Sequence, residues 1–129
     1  MIDKIAWLHL VGGRILSTRS RGKEVYYLPG GKREAGESDV ETLTREIREE
    51  LDVAITPESI APAGVFEAEA HGHPGTLVRM TCYTAEYTGT LAASSEIEEI
   101  AWLAYTDRPR VSAVDKIIFD HLHETGRLH

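Results

Sequence analysis

The chain has 129 residues, is 42% hydrophobic and 27% charged, and carries a formal net charge of −7. This is the size of one domain, large enough to bury roughly two thirds of its unfolded surface, and residues 1–129 are read as a single unit. The acidic balance excludes a duplex nucleic-acid binder, which needs a basic face, and no apolar run approaches the ~18 residues of a membrane-spanning helix.

Along the chain, Ile5 to Val11 is apolar-rich and predicts a strand. Gly12-Gly13 turns it, and Arg14 to Thr18 returns as a second strand. Arg19 to Lys23 forms a basic loop, and Glu24 to Leu28 predicts a short strand ending at Pro29. The loop from Gly30 to Glu37 leads into a helix over about Asp39 to Leu51. Ser38 is a good N-cap, with Glu41 three residues later in a capping-box pattern, and acidic residues in the first turn suit the helix dipole. Val40, Leu43, Ile47 and Leu51 fall on one stripe that should face the core.

After Pro57 and Pro62, the segments Ala63 to Ala70 and Thr76 to Tyr87 predict a long hairpin with His71-Gly72-His73-Pro74-Gly75 at its tip. Ala101 to Ala104 is a short strand. Val111 to Glu124 is a second amphipathic helix, with Val114, Ile117, Ile118 and Leu122 near its apolar side and Gly126 just past its end. Two helices and several strands predict an α/β sandwich with a mixed sheet. Cys82 is the lone cysteine and alternates with Val78 and Met80, as a buried apolar residue would. With no internal disulfide partner and no cleavable signal pattern after Met1, the expected setting is cytoplasmic.

The most informative segment is GKREAGESDVETLTREIREELDV, from Gly31 to Val53. On the predicted helix, Glu46, Glu49 and Glu50 lie at i, i+3 and i+4 and share one face, bordered by Arg45. Like charges at this spacing repel by a few tenths of a kcal/mol per pair, on the order of 0.2–0.5. A lone REIREE would read as a solvated acidic face partnered by Arg45 and Arg48. Here the Leu28-Pro29-Gly30-Gly31 lead-in, Glu37 and the acidic face form one unit. A hard divalent cation with oxygen ligands would relieve the repulsion, and cations bring phosphates.

The segment resembles the Nudix box: Gly, five residues, Glu, seven residues, Arg-Glu, an aliphatic residue, any residue, Glu-Glu, any residue, Gly and an aliphatic residue. Gly31, Glu37, Arg45, Glu46, Ile47, Glu49, Glu50 and Val53 match. Asp52 stands where the family has its last Gly, and Asp tolerates the left-handed conformation expected there better than most residues. Tyr27-Leu28-Pro29-Gly30-Gly31 and the later Glu96-Ile97-Glu98-Glu99-Ile100-Ala101-Trp102 also look like the family.

The resemblance implies a single Nudix hydrolase domain with an α/β/α sandwich and a mixed β-sheet. It implies a MutT-like hydrolase of a nucleoside diphosphate derivative, first a (deoxy)nucleoside triphosphate cleaved to monophosphate and pyrophosphate, with Mg²⁺ or Mn²⁺ as cofactor. A nucleotide-sugar or ADP-ribose hydrolase is the alternative, as is a Nudix-fold module that binds a nucleotide without cleaving it. By the same resemblance Glu46, Glu49 and Glu50 are metal ligands, joined by the Gly30 carbonyl. Glu37 binds a metal or stabilises the loop–helix junction, Arg45 orients a box glutamate, and Glu46 or Glu98 is the base. The partner is a small nucleotide, and the chain is expected as monomer or homodimer.

Other candidates are less specific. Glu98 leads an acidic cluster with Glu96 and Glu99. Arg19, with Arg21 and Lys23, steers a polyphosphate or belongs to a solvated loop, and Arg79 contacts phosphate or base or sits on the surface. His71 and His73 read as exposed tip residues rather than a metal pair, and His121 and His123 as surface or edge positions.

Overall fold

The computed structural model describes residues 1–70 and 72–129; His71, one of the hairpin-tip histidines, lies outside the described residues. The strands are β1 (Ile2–Trp7), β2 (Leu10–Val11), β3 (Arg14–Ser20), β4 (Gly30–Lys32), β5 (Ala54–Ile55), β6 (Ala61–Ala70), β7 (His73–Thr84), β8 (Tyr87–Thr88) and β9 (Ile97–Leu103). The helices are α1 (Asp39–Leu51) and α2 (Ala113–Glu124), with short 3-10 turns at Pro57–Ser59 and Tyr105–Arg110.

A mixed sheet runs β4-β1-β7-β6, in which β1 is parallel to β7 and antiparallel to β4. A second sheet runs β2-β3-β9, and β5 pairs with β8. The period-2 alternation of β1 builds both cores. Ile5 and Trp7 point to one side, where they meet Leu43, Ile47 and Leu51 of α1. Ala6 and Leu8 point to the other, where they meet Ile118, Phe119 and Leu122 of α2. Helices thus cover opposite sides of the strands, giving an α/β/α sandwich.

α1 follows its sequence signals. Ser38 accepts from the Glu41 amide, and the Glu41 side chain accepts from the Ser38 amide, forming a capping box. Asp52 closes the helix at φ 57°, ψ 34°, the left-handed conformation expected of the residue that replaces glycine. Val40 departs from the expected stripe: in the first turn of α1 it is exposed, while Thr42 is buried instead. Ile117 of α2 is likewise exposed, and Val114, Ile118, Phe119 and Leu122 carry that helix's apolar face.

Residues Glu24 to Leu28 do not form the expected strand. They make isolated bridges only, Tyr27 with Thr18 and Tyr26 with Val111. The Leu28 amide donates to the buried Asp115 carboxylate at 3.0 Å, and Pro29 has no amide to offer. The ladder therefore begins at Gly30. This segment crosses from β3 to α2 and back to β1, and it delivers Gly30 and Gly31 beside α1.

Candidate active site

Arg45 organises the acidic face of α1. Its Nε donates to Glu37 Oε2 at 2.6 Å and its Nη2 to Glu37 Oε1 at 2.9 Å, a two-pronged pair. Its Nη1 reaches Glu46 Oε1 at 2.9 Å and Glu49 Oε2 at 3.4 Å, and Nη2 also donates to the Lys32 carbonyl at 3.0 Å. One guanidinium thus ties the loop, β4 and the helix together.

Glu37 is fully engaged in this junction. Besides Arg45, it accepts from the Glu34 amide and the Thr42 hydroxyl. Arg45 first, then the Glu34 amide, hold its carboxyl down at about 2. Both Glu37 oxygens are thus engaged at the loop–helix junction.

Glu46, Glu49 and Glu50 have distinct environments. Glu49 is exposed, Glu46 is half-buried, and Glu50 is buried. Glu50 Oε1 accepts from the Gly30 amide at 3.0 Å. Burial pushes the Glu50 carboxyl up to about 8 against the pull of that amide, and the charges of Glu46, Glu96 and Glu49 add to the rise. Burial also raises Glu46 despite Arg45, with Glu49 and Glu96 contributing. Among the described residues no three acidic, histidine or cysteine side chains stand together as a group that could hold a metal ion; Arg45 bonds Glu46 and Glu49, and the Gly30 amide bonds Glu50.

The glycines are required by these contacts. A Cβ on Gly31 would stand 2.6 Å from the Glu46 carboxylate, and one on Gly30, whose φ is 144°, would strike the Ile5 carbonyl. The Glu46 carboxylate therefore lies directly over the Gly31 backbone.

The second acidic cluster divides. Glu98 is exposed and pairs with Arg19 at 3.2 Å; Glu99 pairs with the same arginine at 3.1 Å and accepts from the Tyr26 hydroxyl at 2.8 Å. Glu96 is the member whose charge bears on Glu46 and Glu50. Glu98, in β9, thus faces Arg19, whereas Glu96, just before that strand, acts on the box glutamates. Arg79 pairs across the hairpin with Glu67 at 2.9 Å. His73 is exposed at the tip. His123 stacks on Tyr105 and His121 lies against Phe66 of β6. Cys82 is buried as expected, and burial pushes its thiol up to about 12.

Two adjoining cavities open on this side of the sheet, the smaller of them beside Glu50. The smaller, about 230 Å³, is lined by Gly30, Gly31 and Glu50. The larger, about 380 Å³, has apolar walls that include Val78, Met80 and Val114, and falls within the ~300–1,000 Å³ range of small-molecule sites. Lys4 and Tyr27 border both. Lys4 was not singled out by the sequence; its signal is a lone cation among the apolar residues of β1.

The NUDIX domain profile matches residues 5–122. A comparison with curated proteins gives no match. Among solved structures, the MutT NUDIX hydrolase of Burkholderia pseudomallei superposes with a TM-score of 0.74 at 26% identity, over 92% of this chain and 95% of that one. The MutT protein of Bacillus halodurans gives 0.74 at 24% identity, over 99% and 86%. A UDP-X diphosphatase gives 0.69 at 17% identity, over 97% of this chain and 63% of that one. With its box residues assembled on one loop and one helix, and a family profile matched over nearly its whole length, the chain belongs to the Nudix family and is a MutT-like Nudix pyrophosphohydrolase.

Proposed function

We propose that the protein hydrolyses the diphosphate linkage of a nucleoside diphosphate derivative, with a (deoxy)nucleoside triphosphate cleaved to monophosphate and pyrophosphate as the leading substrate class. The observation that carries this reading is the grouping of Glu46, Glu49 and Glu50 beside the Gly30-Gly31 wall of a cleft.

The donor set suits a hard divalent cation, Mg²⁺ or Mn²⁺. Its oxygens repel one another, and Glu50 is held from ionising by burial and by neighbouring acids. Glu46, Glu49 and Glu50 would hold the ion, with the Gly30 carbonyl as a further oxygen. When bound, such an ion neutralises the diphosphate and lowers the pKa of the attacking water.

The chain's own residues do the rest. Arg45 fixes the Glu46 carboxylate over Gly31, and Glu37 fixes Arg45, so Glu37 acts as a positioning residue rather than a ligand. Glu46 and the loop glutamate are the groups available to take the water's proton. Of the loop glutamates, Glu96 supports that role better than Glu98, since the Arg19 guanidinium occupies Glu98.

Hydrolysis of a nucleotide panel in ¹⁸O-labelled water, with mass analysis, tests the reading. Label in one of two phosphorylated products is the expected result. Stepwise release of labelled orthophosphate would contradict it. A sugar phosphate or ribose phosphate product would move the substrate to a nucleotide sugar or ADP-ribose, and binding without turnover would make the domain a nucleotide sensor.

A further inference from the structure

The sequence offered Arg19 and Arg79 as cations for the substrate. Both are consumed elsewhere: Arg19 by Glu98 and Glu99, and Arg79 by Glu67. Neither is among the residues lining the two cavities. An acidic protein that takes a polyphosphate still needs positive charge where the nucleoside's own phosphate lies, beyond the reach of a cation on α1.

Lys4 and Lys23 supply it. Both border both cavities, so they stand where the carboxylate-lined cavity passes into the apolar one. Among the described residues neither takes part in an ion pair. Glu24 and Glu69, which also line the larger cavity, are exposed.

Lys4 is held through its side chain and the exposed Lys23 through its backbone. Lys4 is half-buried on β1, paired in register with Lys32 of β4 and Met80 of β7. Its Nζ lies 5.4 Å from the centre of the Tyr27 ring, within cation–π range. Lys23 closes a tight turn in which its amide donates to the Ser20 carbonyl at 3.1 Å. Its own carbonyl accepts from Arg19 Nη1 at 3.0 Å. The Arg21 amide fastens the same turn to the Glu96 carbonyl at 2.9 Å. The basic loop is thus tethered, and Arg19 serves it by gripping Lys23 rather than by meeting substrate.

We infer that Lys4 and Lys23 form the anion site for the phosphate that stays on the nucleoside, placing the nucleoside in the apolar cavity and the remaining phosphates over Glu46, Glu49 and Glu50. The inference rests on the nucleotide-hydrolase reading above, and it adds the residues that would tell a nucleotide from a bare polyphosphate.

The test compares wild type with Lys4→Met, Lys23→Met, the double variant and Lys4→Arg, all with Mg²⁺ present. Calorimetric titration uses the common deoxynucleoside monophosphates, the uncharged nucleosides and inorganic pyrophosphate, and circular dichroism and melting confirm folding. Losing a charge-assisted contact should weaken monophosphate binding by about tenfold or more in the double variant. Nucleoside and pyrophosphate binding should stay within about twofold of wild type by the same scale. KM for the best triphosphate should rise while kcat changes little, and Lys4→Arg should restore most of the affinity. Monophosphate affinity unchanged in a folded double variant, while wild type still cleaves nucleotides, would overturn the lysine assignment and leave the hydrolase reading standing. Equal weakening for nucleoside and monophosphate would also overturn it, since the lysine stems would then be acting only as packing. If wild type neither binds nor cleaves any nucleotide, the hydrolase reading fails and the lysine assignment with it.

Discussion

The Glu46 carboxylate rests on the backbone of Gly31, so close that the smallest side chain at residue 31 would stand 2.6 Å from it. The first glycine of the box and its helix-borne glutamate are therefore one contact, made across the loop–helix junction. Gly31→Ala should displace the Glu46 carboxylate without unfolding the chain, because Gly31 does not adopt a positive φ. We expect kcat/KM to fall by at least about tenfold, the scale for misplacing a reacting group, with little change in melting temperature. Wild-type kinetics in this variant would remove Glu46 from the working site.

Glu49 is the most exposed carboxylate of the set, at 51% for its side chain, and its neighbour Arg45 has other partners. Glu49→Gln should melt as wild type does and lose Mg²⁺-dependent turnover by orders of magnitude. Steady-state assays across a Mg²⁺ titration read the outcome, and activity that persists would exclude Glu49 as a metal ligand.

Glu37 predicts a pH dependence of stability. Its folded carboxyl is held at about 2 by Arg45 and the Glu34 amide, against an ordinary value of 4.5. A lowered acid stabilises the fold above its unfolded value and loses that contribution as pH falls through the folded one. The stability difference between wild type and Glu37→Gln should therefore be largest above pH 4.5 and shrink toward pH 2. Urea unfolding at several pH values measures it, and a gap that stays constant would show that the carboxylate is not the source.

Asp115 works in the opposite direction. Fully buried, it is pushed by desolvation from 3.8 up to about 7, with the Leu28 amide pulling it back. Its contribution to stability therefore declines as pH rises from 3.8 toward 7. Asp115→Asn keeps an acceptor for the Leu28 amide and removes the titration. Its melting temperature relative to wild type should be higher at pH 8 than at pH 5, which differential scanning calorimetry can follow; a difference that does not change with pH would mean that the carboxylate is ionised without cost.

Asp52 sits at φ 57°, a conformation that glycine adopts without strain. Its backbone amide donates to the Arg48 carbonyl, a bond that glycine retains. Asp52→Gly should thus be neutral or stabilising by up to about 1 kcal/mol. A clear drop in melting temperature would reveal a side-chain contact that the cap geometry does not require.

What could be read from the chain was what short-range chemistry decides. The capping box, the left-handed Asp52 and the shared face of Glu46, Glu49 and Glu50 depend on residues within a turn or two of each other. The misassigned strand at Glu24 to Leu28 depends on Asp115, 87 residues further on, which takes the Leu28 amide. The contact of Arg19 with both Glu98 and Glu99 depends on the pairing of β3 with β9, where the register shifts between Arg19 and Ser20. Arg19 and Glu99 are separated by 80 residues, so nothing local marks the arginine as already partnered. Lys4 escaped notice because its environment is assembled by the sheet and by Tyr27, not by its neighbours in β1.

The bond from the Gly30 amide to Glu50 joins the last turns of α1 to β4, and β4 is registered on β1 through Ala6. That amide stands at the wall of the smaller cavity, on the edge strand β4, and is held there by a buried carboxylate. Its proton should exchange with deuterated solvent only when this bond opens, more slowly than the amides of a surface loop. Substrates of different shape must then be accommodated by the far walls of the cavities, since Gly30, Glu50 and β1 are bonded into one floor.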